Sequence, residues 1–124
     1  MPKPSTLIAS QSLLWLAAAA WLFLAPDPLL LLFGEGVTRY HAAVARVFGA
    51  ELAGLGLASW FTRHTADPGV LRGLCWSYFA SNTLGFLATF GAVRMGAMNA
   101  NCWVLVVIYL VYAVAFGYLV ARLK

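Results

Sequence analysis

Residues 40–61 read YHAAVARVFGAELAGLGLASWF, a stretch long and apolar enough to cross a lipid bilayer as one helix. It nevertheless carries Arg46 near one end and Glu51 at its midpoint. A carboxyl group at the centre of a membrane helix is costly when it faces lipid, so we expect Glu51 to face the interior of a helix bundle, to be protonated, or both. The stretch therefore predicts a bundle of which it is the central helix.

The composition of the whole chain indicates an integral membrane protein. Of its 124 residues, 63% are hydrophobic and 10% are charged, and the mean hydropathy is +0.84. Charged residues alone make up about a quarter of a typical soluble domain. At about 20 residues per helical span, the length allows four crossings with short connections. We therefore expect an all-α membrane protein, a single domain over residues 1–124 formed by a bundle of four transmembrane helices.

Start and stop signals divide the chain into these spans and one short interfacial helix between the first two. Asp27-Pro28 and Asp67-Pro68 each place a capping carboxylate before a proline, the pattern of a helix N-terminus. Residues 28–33 are too few to cross the bilayer and are predicted to lie in its interface. The predicted spans are residues 7–25, 40–61, 70–93 and 100–121, and Asn99 or Asn101 is the expected cap of the last.

Small residues recur at helical spacing on the second and third spans. Such a face lets two helix backbones approach closely, so we expect these two spans to pack against each other. The face consists of Gly49, Ala53 and Gly56 on the second span, and of Gly73, Ser77, Ser81, Gly85 and Thr89 on the third.

Polar side chains of three spans fall at nearly the same depth, namely Glu51, Asn82, and the pair Tyr109 and Tyr112. In a compact bundle these side chains could form a buried polar centre. In a structural interpretation, Asn82 and a tyrosine hydroxyl hydrogen-bond Glu51 and fix the helix register. In a functional interpretation, the same residues form a proton or ligand site. A third interpretation places Glu51 against another subunit.

Three side chains near the start of the second span are expected at the membrane surface. Arg46 lies five residues before Glu51, about 140° around a helix, which is poor geometry for an ion pair. We expect Arg46 to reach the interface or a lipid headgroup, and Arg39 is a second candidate for headgroup contact. His41 could ligate the metal of a porphyrin or chlorophyll, but a lone interfacial histidine is more often structural. No cofactor or metal is therefore expected.

The distribution of Lys and Arg predicts the orientation, because cytoplasmic flanks are enriched in these residues. With a cytoplasmic N-terminus, that side carries five of them and the other side two. Both termini are therefore predicted to be cytoplasmic. The five are Lys3, Arg63, Arg72, Arg122 and Lys124, and the two are Arg39 and Arg94.

Motifs of catalysis and of nucleic-acid binding are missing from the sequence. It contains no HExxH, nucleophile elbow or glycine-rich phosphate loop, so an enzyme is not expected. The basic residues stand singly at helix ends, so a nucleic-acid partner is not expected either. Cys75 and Cys102 are predicted to differ in depth by about 20 Å, too far for a disulfide.

Three motifs of the chain resemble those of a group of small bacterial four-helix integral membrane proteins of unknown function. They are APDPLLLLFG at residues 25–34, ARVFGAELAGLGLASW at residues 45–60, and Asn82-x-x-Gly85. The ARxFG element at residues 45–49 is similar, more weakly, to one in the membrane scaffold proteins of ergosterol biosynthesis, which tether enzymes without catalysis. The resemblance implies a bacterial inner membrane location and an accessory or assembly role.

Two classes of function follow. The first is a non-catalytic membrane accessory or scaffold subunit, with the lipid bilayer and a membrane protein or a second copy as partners. The alternative is a small proton-coupled transporter or hydrophobic-ligand-binding bundle centred on Glu51. Small multidrug transporters share four helices and one membrane glutamate, but theirs lies in the first helix, where this chain has Gln11 and Ser12. The first class is therefore preferred.

Overall fold

The computed structural model describes residues 3–34 and 38–123, and all regular secondary structure in these ranges is helical. The predicted all-α class is thus confirmed for this part of the chain. The chain divides into two compact units, Met1–His64 and Thr65–Lys124, called here the N-terminal and the C-terminal unit. The helices are α1 (Pro4–Leu24), α2 (Pro26–Phe33), α3 (Arg39–Thr62), α4 (Pro68–Arg94) and α5 (Trp103–Arg122), with a 3-10 turn over Ala100–Cys102 before α5.

Among the described residues, three helical segments are long and apolar enough to cross a membrane, not the four that the sequence predicts. They are Pro4–Leu24, His41–Thr62 and Ala100–Arg122. The missing one is α4, which has 27 residues and is therefore long enough. Its Gly, Ser, Thr and Asn residues lower its mean hydropathy, so composition rather than length separates it from the others.

In the N-terminal unit, α1 and α3 pack antiparallel, and two glycines of α3 lie against α1. A Cβ atom at Gly49 would lie 3.0 Å from the carbonyl oxygen of Ala19 and 3.1 Å from the amide nitrogen of Phe23. A Cβ atom at Gly56 would lie 2.9 Å from Cγ of Leu16. Only glycine leaves room for such an approach. The small-residue face of α3 therefore packs against α1.

The C-terminal unit, in contrast, is packed largely by aromatic rings between α4 and α5. Tyr78 stacks on Phe116 with ring centroids 4.8 Å apart, and Tyr112 stacks on Phe116 at 6.2 Å. Phe90 meets Trp103 edge to face at 5.9 Å. Aromatic pairs of this kind contribute about 0.5–1.5 kcal/mol beyond their area burial. The rings thus join α4 to α5 at both ends of the pair.

Several Ser and Thr hydroxyls bond to the backbone of their own helix. Each donates to the carbonyl oxygen four residues earlier, at 2.7–2.9 Å. A buried hydroxyl without a hydrogen bond costs free energy, so these bonds allow Ser12 and Ser59 to be buried inside a helix pair. The residues are Ser12 in α1, Ser59 in α3, and Ser77, Thr83 and Thr89 in α4.

The two Asp-Pro dipeptides behave differently. Asp67 caps α4 as predicted, since its Oδ1 accepts hydrogen bonds from the amides of Gly69 at 2.8 Å and Val70 at 3.1 Å. The predicted cap at Asp27 is wrong, because Asp27 lies inside the first turn of α2 and makes no capping bond. Pro26 itself occupies the first helical position there. The helix start therefore moves ahead of the aspartate.

Candidate functional site

Glu51 lies on the side of α3 that faces away from α1. It follows Gly49 by two residues, about 200° around the helix. Because α1 covers the glycine face, Glu51 is exposed, and its burial in the predicted polar centre stays a prediction. Among the residues of α3 whose burial is described, the buried ones are Ala42, Ala45, Gly49, Gly56 and Ser59, while Ala53 is half-buried.

The surface around Glu51, called here the Glu51 face, is apolar. Its members are Val44, Val47, Phe48, Glu51, Gly54 and Leu55. Phe48 is 54% exposed and Leu55 56% exposed, and a Cβ atom at Gly54 would meet no heavy atom within 4 Å. Glu51 has no hydrogen bond or ion pair with any residue of 3–34 or 38–123. A carboxyl group in such surroundings at the middle of a candidate span would be costly against lipid.

Asn82, predicted to hydrogen-bond Glu51, lies in the core of the C-terminal unit. It is 1% exposed, and its Nδ2 donates to the carbonyl oxygen of Tyr78 at 2.8 Å. Tyr112 is half-buried in the ring stack of the same unit. Because Glu51 belongs to the other unit, the meeting of these side chains stays a prediction.

Among the described residues, α5 packs against the small-residue stripe of α4 only near its C-terminal end. A Cβ atom at Gly85 would lie 2.5 Å from Cε1 of Tyr109, so the half-buried tyrosine ring occupies the space that glycine leaves. Gly73, Ser77 and Ser81 are exposed instead, and a Cβ atom at Gly73 would have no heavy atom within 4 Å. The predicted packing of α3 against α4 stays a prediction, and the partners described are α1 for α3 and α5 for α4.

The core face of α4 is therefore not the stripe itself. Cys75, Tyr78 and Asn82 are the buried residues of the helix. This face turns toward α5 because the ring of Tyr78 stacks on Phe116, and ring burial contributes more than contact with serine or glycine. Cys75 and Cys102 are both buried and are not joined by a disulfide.

An open groove of about 570 Å³ lies where α2 and the first turns of α3 meet. Arg39 and Arg46, each predicted to contact headgroups, both line it. Nε of Arg46 also donates to the carbonyl oxygen of Phe23, near the end of α1, at 3.4 Å. The lining residues are Asp27, Leu31, Thr38, Arg39, Ala42 and Arg46. We call this feature the arginine groove.

His41 takes part in the cap of α3. The hydroxyl oxygen of Thr38 accepts the amide of His41 at 3.2 Å, and Nδ1 of His41 accepts the amide of Thr38 at 3.4 Å. This reciprocal pair is a capping box, so the structural interpretation of His41 is favoured over metal ligation. Within the described ranges, no group of three or more His, Cys, Asp or Glu side chains could hold a metal ion.

Comparisons of the chain with protein-family models, with curated proteins and with solved structures find no match. The resemblance to small bacterial four-helix membrane proteins, and the weaker one to ergosterol-biosynthesis scaffold proteins, therefore stay predictions.

Proposed function

We propose that the protein is a non-catalytic accessory or scaffold subunit of a membrane, and that its Glu51 face packs against a helix of another chain. One observation carries the proposal. A carboxyl group at the middle of a candidate span faces away from α1 and has no polar partner among the described residues. A helix from a second copy or from a larger membrane complex would remove it from lipid and supply a hydrogen-bond partner.

The shape of the Glu51 face suits a helix. Gly54 leaves an open notch one turn from Glu51, where a second backbone can approach closely. Phe48 and Leu55 flank the notch and supply apolar contact area. A hydrogen bond between membrane helices is worth about 0.6 kcal/mol on average and up to about 2 kcal/mol. Shape and hydrogen bonding would therefore act together in recognition.

We also propose that α4 crosses the bilayer beside α5, which makes four spans. Contacts between the two helices extend from Phe79, whose ring lies against Gly117, to Phe90, whose ring lies against Trp103. A helix of 27 residues is about 40 Å long, more than the hydrocarbon thickness of about 30 Å. Because α5 belongs to the most apolar candidate span, a helix paired along it has to share the bilayer.

The number of crossings decides the topology. Four crossings place both termini on one side of the membrane, whereas three place them on opposite sides. The Lys and Arg distribution supports a cytoplasmic location for both termini, and the proposed membrane is the bacterial inner membrane. Reporters active only in the periplasm, fused in turn to each terminus, should give no signal in either case. A signal from one terminus alone would contradict the four-span proposal.

Copurification of tagged protein in mild detergent, followed by mass spectrometry, tests the accessory function. We expect a stoichiometric membrane protein or a homo-oligomer. Gly54→Leu should release it by filling the notch, whereas Glu51→Gln should keep it, because the amide retains the size and hydrogen bonding of the neutral acid. Ala17→Leu, at an exposed position of α1, is the matched control and should have no effect.

Two outcomes would contradict this function. A monomer that retains no other protein in nanodiscs would leave the Glu51 face uncovered by another chain. A proton-linked transport or resistance phenotype that Glu51→Gln abolishes without loss of fold would favour the transporter, because an amide cannot exchange the proton.

A further inference from the structure

We propose that the arginine groove binds the headgroup of an anionic phospholipid, specifically a phosphodiester that carries free hydroxyl groups. Arg39 and Arg46 are seven residues apart, about two helical turns, and so lie on one side of α3. Both line the groove, and neither forms an ion pair with a residue of 3–34 or 38–123. The groove therefore presents two guanidinium groups with hydrogen-bond donors available, which suit phosphate oxygens.

The charges of the groove favour a phosphodiester over a phosphomonoester. Among the described lining residues, Arg39 and Arg46 supply two positive charges and Asp27 one negative charge, so these three side chains sum to +1. A phosphodiester has a single negative charge and balances this sum. A phosphomonoester carries about −1.5 to −2 and would leave an excess of negative charge beside a carboxylate.

Asp27 favours a headgroup whose part beyond the phosphate carries hydrogen-bond donors. An ionised carboxylate only accepts hydrogen bonds, so beside a phosphate it requires a donor from the ligand. The hydroxyls of a glycerol headgroup supply such donors without altering the charge balance. A choline headgroup has no hydrogen-bond donor, and an ethanolamine headgroup adds a positive charge that leaves the groove unneutralised.

The surroundings of the groove indicate a lipid rather than free phosphate. Leu31, a lining residue, is 56% exposed, and Phe23, whose carbonyl accepts the bond from Arg46, is 52% exposed. Apolar side chains thus adjoin the charged groups near the end of α1, a candidate span. This arrangement matches the boundary between acyl chains and headgroups, where arginine side chains favour anionic lipids.

Lipid retention measured by native mass spectrometry on the full-length protein tests the proposal. The probes are phosphatidylglycerol, phosphatidylmethanol, which has the same charge and no hydroxyl, and phosphatidylcholine. We expect phosphatidylglycerol to be preferred over both. Arg39→Gln combined with Arg46→Gln should weaken its binding at least about ten-fold, since a hydrogen bond to a charged group is worth about 1.5–3 kcal/mol. Arg72→Gln combined with Arg94→Gln removes the same charge from α4 and should leave binding unchanged.

Asp27→Asn is a second and milder variant. It should raise the affinity for phosphatidylmethanol, because it removes a negative charge beside the phosphate, and should reduce the preference for phosphatidylglycerol over that lipid, because an amide oxygen is a weaker acceptor than a carboxylate. The proposal is overturned if the α4 control loses binding as much as the groove variant, if phosphatidylcholine binds equally well, or if Asp27→Asn keeps the full preference. Displacement of phosphatidylglycerol by an equal concentration of inorganic phosphate would show a free-phosphate site and would overturn it too.

Discussion

The two units are both antiparallel helix pairs, yet they pack by different means. In the N-terminal unit, glycine lets α3 approach the backbone of α1, and a Cβ atom at Gly49 would lie 3.0 Å from the carbonyl oxygen of Ala19. In the C-terminal unit, Gly85 faces the ring of Tyr109 instead. A backbone atom cannot move without its helix, whereas a ring can be removed or reoriented alone. The same residue type should therefore tolerate substitution differently in the two units.

Charge also separates the units. The described charged residues of the C-terminal unit stand near helix ends, whereas Arg46 and Glu51 of the N-terminal unit lie within α3. The exposed apolar face and the arginine groove both belong to the N-terminal unit. Both surfaces for which binding is proposed therefore lie on the N-terminal unit. The described charged residues of the C-terminal unit are Asp67, Arg72, Arg94 and Arg122.

The largest loss of stability is expected at Gly49, where α3 contacts the backbone of α1. Gly49→Leu should force α3 away from α1 and destabilise the protein by about 3 kcal/mol, the upper end of typical overpacking costs. Thermal unfolding in detergent, followed by circular dichroism, measures it. Gly54→Leu is the control on the same helix and, in a detergent that separates subunits, should unfold like the parent, because its position is open within the chain. Equal unfolding temperatures for the two variants would refute the close packing of α1 against α3.

Gly85→Leu should be less damaging, at about 1–3 kcal/mol, because a ring rather than a backbone atom occupies the space. Combining it with Tyr109→Ala should restore part of the lost stability, and a double-mutant cycle measures this coupling. Gly73→Leu, in the open part of the same stripe, should cost little. If Gly73→Leu is as destabilising as Gly85→Leu, that part of the stripe is covered as well.

The paired Asp-Pro dipeptides give a third and smaller contrast. Asp67→Ala removes an N-cap and should cost about 0.5–2 kcal/mol. Asp27→Ala removes no capping bond and should leave the unfolding temperature unchanged. Asp67→Asn retains a capping oxygen and should behave like the parent. If Asp27→Ala lowers the unfolding free energy as much as Asp67→Ala does, Asp27 caps a helix after all, and the described start of α2 is wrong.

The smallest effect on stability is expected at Glu51. Because Glu51 is exposed within the chain, Glu51→Ala should change the unfolding free energy of the dissociated protein by no more than about 0.5 kcal/mol. The buried polar centre predicted from the sequence requires a clear loss instead, since a partner would be left without its hydrogen bond. Chemical unfolding in a detergent that separates subunits decides whether Glu51 is exposed within the chain or buried in the polar centre.

Helix positions could be predicted well from the sequence because their signals are local. The second predicted span, residues 40–61, differs from α3 by one residue at each end. Asp67 caps α4 as expected, and Asn99 accepts the amide of Asn101 at 3.0 Å before α5. Runs of apolar residues and capping side chains act within one turn, so they can be recognised without knowledge of the partner helix.

The rotation of each helix could not be predicted in the same way. Small residues at positions 73, 77 and 81 favoured one face of α4, but the ring of Phe116 in α5 selected the face of Tyr78. Likewise, α1 packs on the glycines of α3 and leaves Glu51 outside. The arginine groove was anticipated only as two separate arginines, because the contribution of Asp27 depends on where α2 lies. Such features arise between elements, not within them.

The hydroxyl bonds of α4 bear on how the protein would be made. A hydropathy scale counts Ser77, Thr83 and Thr89 as polar residues whose hydroxyls lose their hydrogen bonds when they leave water. In α4, however, each of these hydroxyls donates a hydrogen bond to the carbonyl oxygen one turn earlier. Once helical, α4 is therefore less hydrophilic than its composition implies, though still less apolar than its neighbours. On the four-span proposal, α4 would therefore enter the bilayer together with α5, as one hairpin.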